Sequence, residues 1–210
     1  MNDPKYWDNR YSTAVGAGAG SRGRLYEFKL RTVQRIVDEY KVGSVVDLGC
    51  GDGRQLKDLK VKKYRGLDIS PKAIDLASEH AGKGRTYAIL NEDSAADGNI
   101  ADMAISLDVL FHLPKGQYEA HLDELFRFAE KYVLIYAPNE TGKDKPLRGH
   151  MFFSEFVKDV KARFGVEPIE VIKNEFPVVG KNPTANTSYC NFYLFEVKKA
   201  KVKPYEREDE

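Results

Sequence analysis

Short apolar runs alternate along this chain with longer stretches whose apolar residues recur at helical spacing. Residues 44–48, 64–68, 86–90, 103–107 and 132–136 are brief and rich in Val, Ile, Leu and Tyr. Each ends at or within a few residues of Gly, Pro, Asp or Asn. Such runs read as buried strands. Between them lie helical patterns. Residues 24–40 carry Leu25, Phe28, Leu30, Val33, Ile36 and Val37 as an apolar stripe. A helix over 54–59 follows the first strand, and Ser70-Pro71 reads as an N-cap with proline at the first helical position, opening a helix to about residue 81. Pro114 opens another, with Tyr118, Leu122, Leu125 and Phe126 on one face, and Ser154 caps a last one ending near residue 164. The final strands, 167–176 and 189–197, are joined by a loop without helical period, so they should run antiparallel. Strands alternating with helices imply an α/β fold: a doubly wound, seven-stranded sheet, mostly parallel with an antiparallel last strand.

The expected organisation is an aromatic opening segment and Gly-rich linker over residues 1–23, one domain over 24–198 and a charged tail over 199–210 that cannot bury enough apolar surface to fold. The chain of 210 residues with 42% hydrophobic content suits one domain with a sizeable core. A net charge of +1 argues against general nucleic-acid binding. The two cysteines, Cys50 and Cys190, have no metal-ligand spacing, and no metal is expected. The longest apolar runs, such as residues 132–137, are far below the ~20 residues needed to span a bilayer. With no signal-like opening segment, a cytoplasmic, reduced protein is expected. The pattern leaves oligomeric state open.

The most informative stretch is Val45-Val46-Asp47-Leu48-Gly49-Cys50-Gly51-Asp52-Gly53, followed at the end of the next strand by Asp68 in Gly66-Leu67-Asp68-Ile69-Ser70. A glycine turn at one strand end and a carboxylate at the neighbouring one would set backbone amides and an acid around an adenosine-type ligand. The dinucleotide fingerprint needs its third glycine where this chain has Arg54; here that glycine falls one place early, at Gly53.

The Asp47-x-Gly49-x-Gly51-x-Gly53 pattern resembles motif I of the class I S-adenosyl-L-methionine (SAM)-dependent methyltransferases. The resemblance implies a Rossmann-like methyltransferase fold and SAM as cofactor, with Asp47, Gly49, Cys50, Gly51 and Ile69 around it and Asp68 on the ribose. It implies that Asp93, followed by Ser94, accepts from the adenine amino group, with Glu92 as the competing acid. Asp108-Val109-Leu110-Phe111-His112-Leu113 resembles the stretch after strand four in many small-molecule methyltransferases, with Phe111 in place of the usual acid. Leu107 would then line the cofactor site. Asp108 would sit near the cofactor's methionine end or the acceptor, and His112 is a candidate base, since imidazole titrates near neutral pH. Tyr6-Trp7-x-x-Arg10-Tyr11 resembles the N-terminal helix that covers SAM in several branches, which makes Trp7 and Tyr11 candidate cofactor contacts.

Asn139, Arg148 and His150 lie in loops expected at the acceptor edge, and Arg148 suits a phosphate or carboxylate. The stretches over residues 20–29 and 187–196 resemble small methyltransferases associated with surface-glycan synthesis. The expected activity is methyl transfer to a small molecule or glycan precursor. The competing readings are a SAM-binding protein without catalysis and an NAD-linked oxidoreductase, the latter disfavoured by Arg54. No Asn-Pro-Pro-Tyr type motif follows strand four, which argues against a nucleic-acid acceptor.

Overall fold

The computed structural model of the chain describes residues 4–13, 21–91, 100–141, 151–180 and 183–197. Expectations for the Gly-rich linker, Glu92, Asp93, Ser94, Arg148, His150 and the C-terminal tail fall outside them. The described elements are α1 (Pro4–Tyr11), α2 (Gly23–Glu39), β1 (Ser44–Leu48), β2 (Lys63–Asp68), α3 (Pro71–Ala77), β3 (Arg85–Ile89), β4 (Ala101–Leu107), α4 (Lys115–Phe128), β5 (Ala129–Ala137), α5 (Phe156–Phe164), β6 (Pro168–Ile172) and β7 (Asn191–Glu196).

The strands form one seven-stranded sheet in the order β3-β2-β1-β4-β5-β7-β6. β1 pairs in parallel with β2 and β4, β2 with β3, and β4 with β5, while β7 is antiparallel to both β5 and β6. The strand order reverses at β1 and β4, which opens a crevice at their carboxyl ends.

Strand alternation divides the core into two layers. Val46, Ala104, Val133 and Ile135 face α4 and α5, meeting Leu122, Leu125, Phe156 and Val160. Val45, Met103, Ile105 and Leu134 face the other way, onto Phe28, Val33, Ile36 and Val37 of α2. Ser70 caps α3 as expected, its Oγ accepting from Ala73 N at 3.1 Å.

Four expectations are corrected. Residues 54–59 form only a 3₁₀ turn, Arg54–Leu56, because Leu56 and Leu59 are both drawn into the core under α2. Ser154 does not cap α5, which begins at Phe156; instead Asn139 Oδ1 accepts from Val157 N at 3.0 Å. β6 stops at Ile172 because Asn174 turns the chain away: its N–H donates to Asn191 Oδ1 at 2.9 Å and its side-chain amide to Ser188 O at 3.1 Å. The buried face of α2 carries Lys29 and Thr32 rather than Leu30.

Candidate active site

The glycine turn follows β1 directly. Gly49 and Cys50 donate their N–H groups to Leu67 O at 2.7 and 3.1 Å, tying the turn to β2. Gly49 and Gly51 have φ of 84° and 56°, the left-handed region that glycine tolerates without steric cost. A Cβ at Gly49 would overlap Val109, and one at Gly51 would overlap Tyr11 Oη. The turn therefore depends on glycine at both positions for contact as well as conformation.

Asp68 is organised by that turn. Its Oδ2 accepts from Gly51 N and its Oδ1 from Ser70 N, each at 2.9 Å. Burial raises its pKa, opposed by the amides of Ser70, Gly51 and Ile69. A carboxylate offers roughly four lone-pair sites, so hydrogen-bonding capacity remains toward the cavity. Asp47 lies deeper, accepting from the Tyr64 hydroxyl at 2.7 Å, and burial pushes its pKa up to about 7. The Cys50 thiol is buried and raised well above its usual range, first by burial and then by Asp68 and Asp47, so it stays protonated and is no nucleophile.

α1 packs over this turn. Asp8 Oδ1 accepts from the Ser70 hydroxyl and, at 3.1 Å, from Lys72 N, which fixes α1 to the start of α3. Tyr11 places its hydroxyl against Gly51, and burial, then Asp68 and Asp52, raise its phenol above the usual range. Trp7 meets the His112 ring edge-on at 5.5 Å, with the Arg10 guanidinium over its own ring at 5.6 Å.

The second half of the site follows β4. Asp108 has φ 62°, uncommon for a residue with a side chain and a conformation that surrounding structure must hold in place. Its Oδ2 lies 2.5 Å from Lys29 Nζ, and its Oδ1 accepts from Cys190 Sγ at 3.5 Å. His112 ends the 3₁₀ turn Leu110–His112 and lies between Trp7 and Phe111, whose ring centroid is 4.4 Å away.

One cavity of about 1170 Å³ joins the two halves. It is lined by Trp7, Tyr11, Asp47, Gly49, Cys50, Gly51, Asp68, Ile69, Leu107, Asp108 and His112, all expected site residues. Single-ligand pockets run to ~1,000 Å³, so the space suits two small molecules side by side. Asn139 is absent from the lining; its side chain is committed to α5. Sequence reasoning missed Asp8, Gln55 and Lys29. Lys29 had a signal: a charged residue on the apolar face of α2, between Phe28 and Thr32.

Residues 45–131 match a family model described as "Methyltransferase domain". This stretch spans the glycine turn, Asp68, Asp108 and His112. Over residues 45–131 the chain is therefore similar to methyltransferase domains. No curated protein matches the chain by sequence. Among solved structures, the chain is similar to the N-methyltransferase NodS from Bradyrhizobium japonicum in complex with S-adenosyl-L-homocysteine (SAH): TM-score 0.71 and 15% identity over 95% of this chain and 100% of that one. It is similar to a magnesium protoporphyrin IX methyltransferase from Synechocystis with bound SAH, with TM-score 0.60 and 20% identity over 93% of this chain and 98% of the other. A SAM-dependent methyltransferase from Anabaena variabilis gives TM-score 0.66 and 16% identity over 93% of each chain. At these identities the likeness is one of fold. Among the described residues, no helix is long and apolar enough to cross a membrane.

Proposed function

We propose that this chain is a class I SAM-dependent methyltransferase that transfers a methyl group to a small molecule or glycan precursor, with the cofactor over the glycine turn and the acceptor beside Asp108 and His112. The observation that carries the reading is one cavity lined both by Asp68 and the glycine turn and by Asp108 and His112.

The residues fit the cofactor. Asp68, pre-aligned by two amides, suits a pair of ribose hydroxyls. Gln55 Oε1 is buried without a hydrogen-bond partner in the lining of the cavity, a cost that a donor such as the cofactor's ammonium group would remove. Trp7 and Tyr11 supply aromatic faces that favour a cation. When bound, SAM supplies a methyl carbon on a sulfonium; moving it to a nucleophile breaks the sulfur–carbon bond and leaves a neutral thioether. The chain then has to hold the acceptor in line and exclude water, a contribution of ~7–11 kcal/mol in well-oriented systems. If the nucleophile is a hydroxyl, one proton is released, and Asp108 and His112 line the part of the cavity where it must be taken.

One structural neighbour is an N-methyltransferase and another a magnesium protoporphyrin IX methyltransferase, so the acceptor has to be found by assay. Incubation with methyl-labelled SAM and a panel of nucleotide sugars, sugar phosphates, phenols and small amines should label a hydroxyl or amine compound. His112→Ala should leave SAH binding nearly intact and lower turnover on that compound, by ~10²–10⁴-fold if the imidazole is the base. Labelled protein and no labelled small molecule would contradict the reading.

A further inference from the structure

The acceptor half of the cavity is lined by an ion pair, Lys29 and Asp108, whose members differ sharply in exposure. Lys29 Nζ meets Asp108 Oδ2 at 2.5 Å, and the lysine side chain is 2% exposed against 31% for the aspartate. The ammonium is enclosed beside the Tyr136 ring, 5.4 Å from its centroid. The other carboxylate oxygen receives the Cys190 thiol, a weak donor. The pair thus shows the cavity a hydrogen-bond acceptor whose charge is already cancelled from beneath. Along the adjacent wall runs a chain of rings: Trp7 to His112 at 5.5 Å, His112 to Phe111 at 4.4 Å, Phe111 to Phe153 at 6.1 Å and Phe153 to Tyr189 at 5.8 Å. All five are partly exposed, and all line the same cavity.

Other charged side chains, Glu119 and Glu124 among them, line the same cavity; at Asp108 itself, these features discriminate among acceptors by charge. An ammonium compound needs a carboxylate that is not already neutralised, and a carboxylate or phosphate compound needs a cation that is not already committed. A neutral hydroxyl compound donates to Asp108 and leaves the buried charges balanced. We propose that the site takes an uncharged hydroxyl compound with an apolar ring face, such as a sugar or phenol, whose hydroxyl donates to Asp108, and that Lys29 sets this choice by cancelling the Asp108 charge. The proposal rests on the methyltransferase reading of the cavity and names oxygen as the methylated atom. Lys29 is a positioning residue, enclosed behind the group it holds.

The test uses three probes that share one ring: benzyl alcohol, benzylamine and benzoate. Each is titrated by ligand-observed NMR into the full chain saturated with SAH. The wild-type protein should prefer benzyl alcohol to either ion by about tenfold or more, the equivalent of ~1.4 kcal/mol. Lys29→Met should turn the preference to benzylamine, Asp108→Asn should turn it to benzoate, and the double variant should restore the alcohol. A wild-type preference for either ion, or no alcohol binding, would overturn the proposal. So would a preference that stays the same when Lys29 is replaced. Should Asp108→Asn fail to fold around its uncompensated lysine, Lys29→Met decides alone, since it buries no charge. Calorimetry with SAH on the wild-type protein separates the two readings: no SAH binding contradicts the cofactor assignment, whereas SAH binding with unmoved probe preference contradicts only the neutral acceptor.

Discussion

Asp47 and His121 are buried on opposite faces of the sheet, and burial pushes the pKa of each toward its neutral form: Asp47 up to about 7 and His121 down to about 4. His121 Nε2 lies 2.9 Å from Ser106 Oγ, so the imidazole has a neutral partner and no carboxylate to hold its charge. Folding favours neutral His121, a contribution present above pH 6.5 and lost as pH falls through about 4. Folding favours protonated Asp47, a contribution present below pH 3.8 and lost as pH rises through about 7. Between pH ~4 and 6.5 the two slopes, each ~1.4 kcal/mol per pH unit, oppose one another. Single variants should therefore unmask them. Measured against wild type by denaturant unfolding, His121→Asn should lose relative stability as pH rises across this window, and Asp47→Asn should gain it. Parallel curves for both variants would contradict these environments. Lys29 shows what was legible at this scale and what was not. Its place on an apolar stripe is visible in the chain, but its partner Asp108 is 79 residues away, and no local pattern announces that pairing.

At the scale of elements, the contacts that fix α1 include Asp8 on the start of α3, Tyr11 on Gly51 and Trp7 on His112. None of its residues is fully buried. Such an element opens at low cost in free energy, so cofactor beneath Trp7 and Tyr11 should close it further. Hydrogen exchange over residues 4–13 should slow when SAH is added, and Gly51→Ala, whose methyl group overlaps Tyr11 Oη, should speed it in the absence of ligand. Equal exchange with and without SAH would leave α1 a purely structural element. The five parallel strands were readable because brief apolar runs end at Gly, Pro, Asp or Asn. The helix expected over 54–59 was misread because Leu56 and Leu59 answer to the core beneath α2, and local spacing cannot show that. The start of α5 was misplaced for a similar reason. Ser154 is a good cap by type, yet the Val157 amide in the first turn is taken by Asn139 from the preceding loop.

For the molecule as a whole, the reversal of strand order between β1 and β4 brings two sequence-distant sets of residues to one crevice. The glycine turn and Asp68 form the better defined set, because motif spacing and fold dictate them together. The proposed acceptor set draws on cavity-lining residues from α2, the end of β4, residues 151–153 and the approach to β7, so its chemistry emerges only once the chain is folded. The central claim is that Asp68 and the glycine turn hold an adenosine-type methyl donor. Its most direct test is calorimetric titration of the wild-type protein and Asp68→Ala with SAH, and of the wild-type protein with NAD. SAH should bind the wild-type protein, NAD should not, and Asp68→Ala should weaken SAH by about 1.5–3 kcal/mol as charge-assisted hydrogen bonds are lost. Preferential NAD binding, or SAH affinity unchanged by Asp68→Ala, would contradict it.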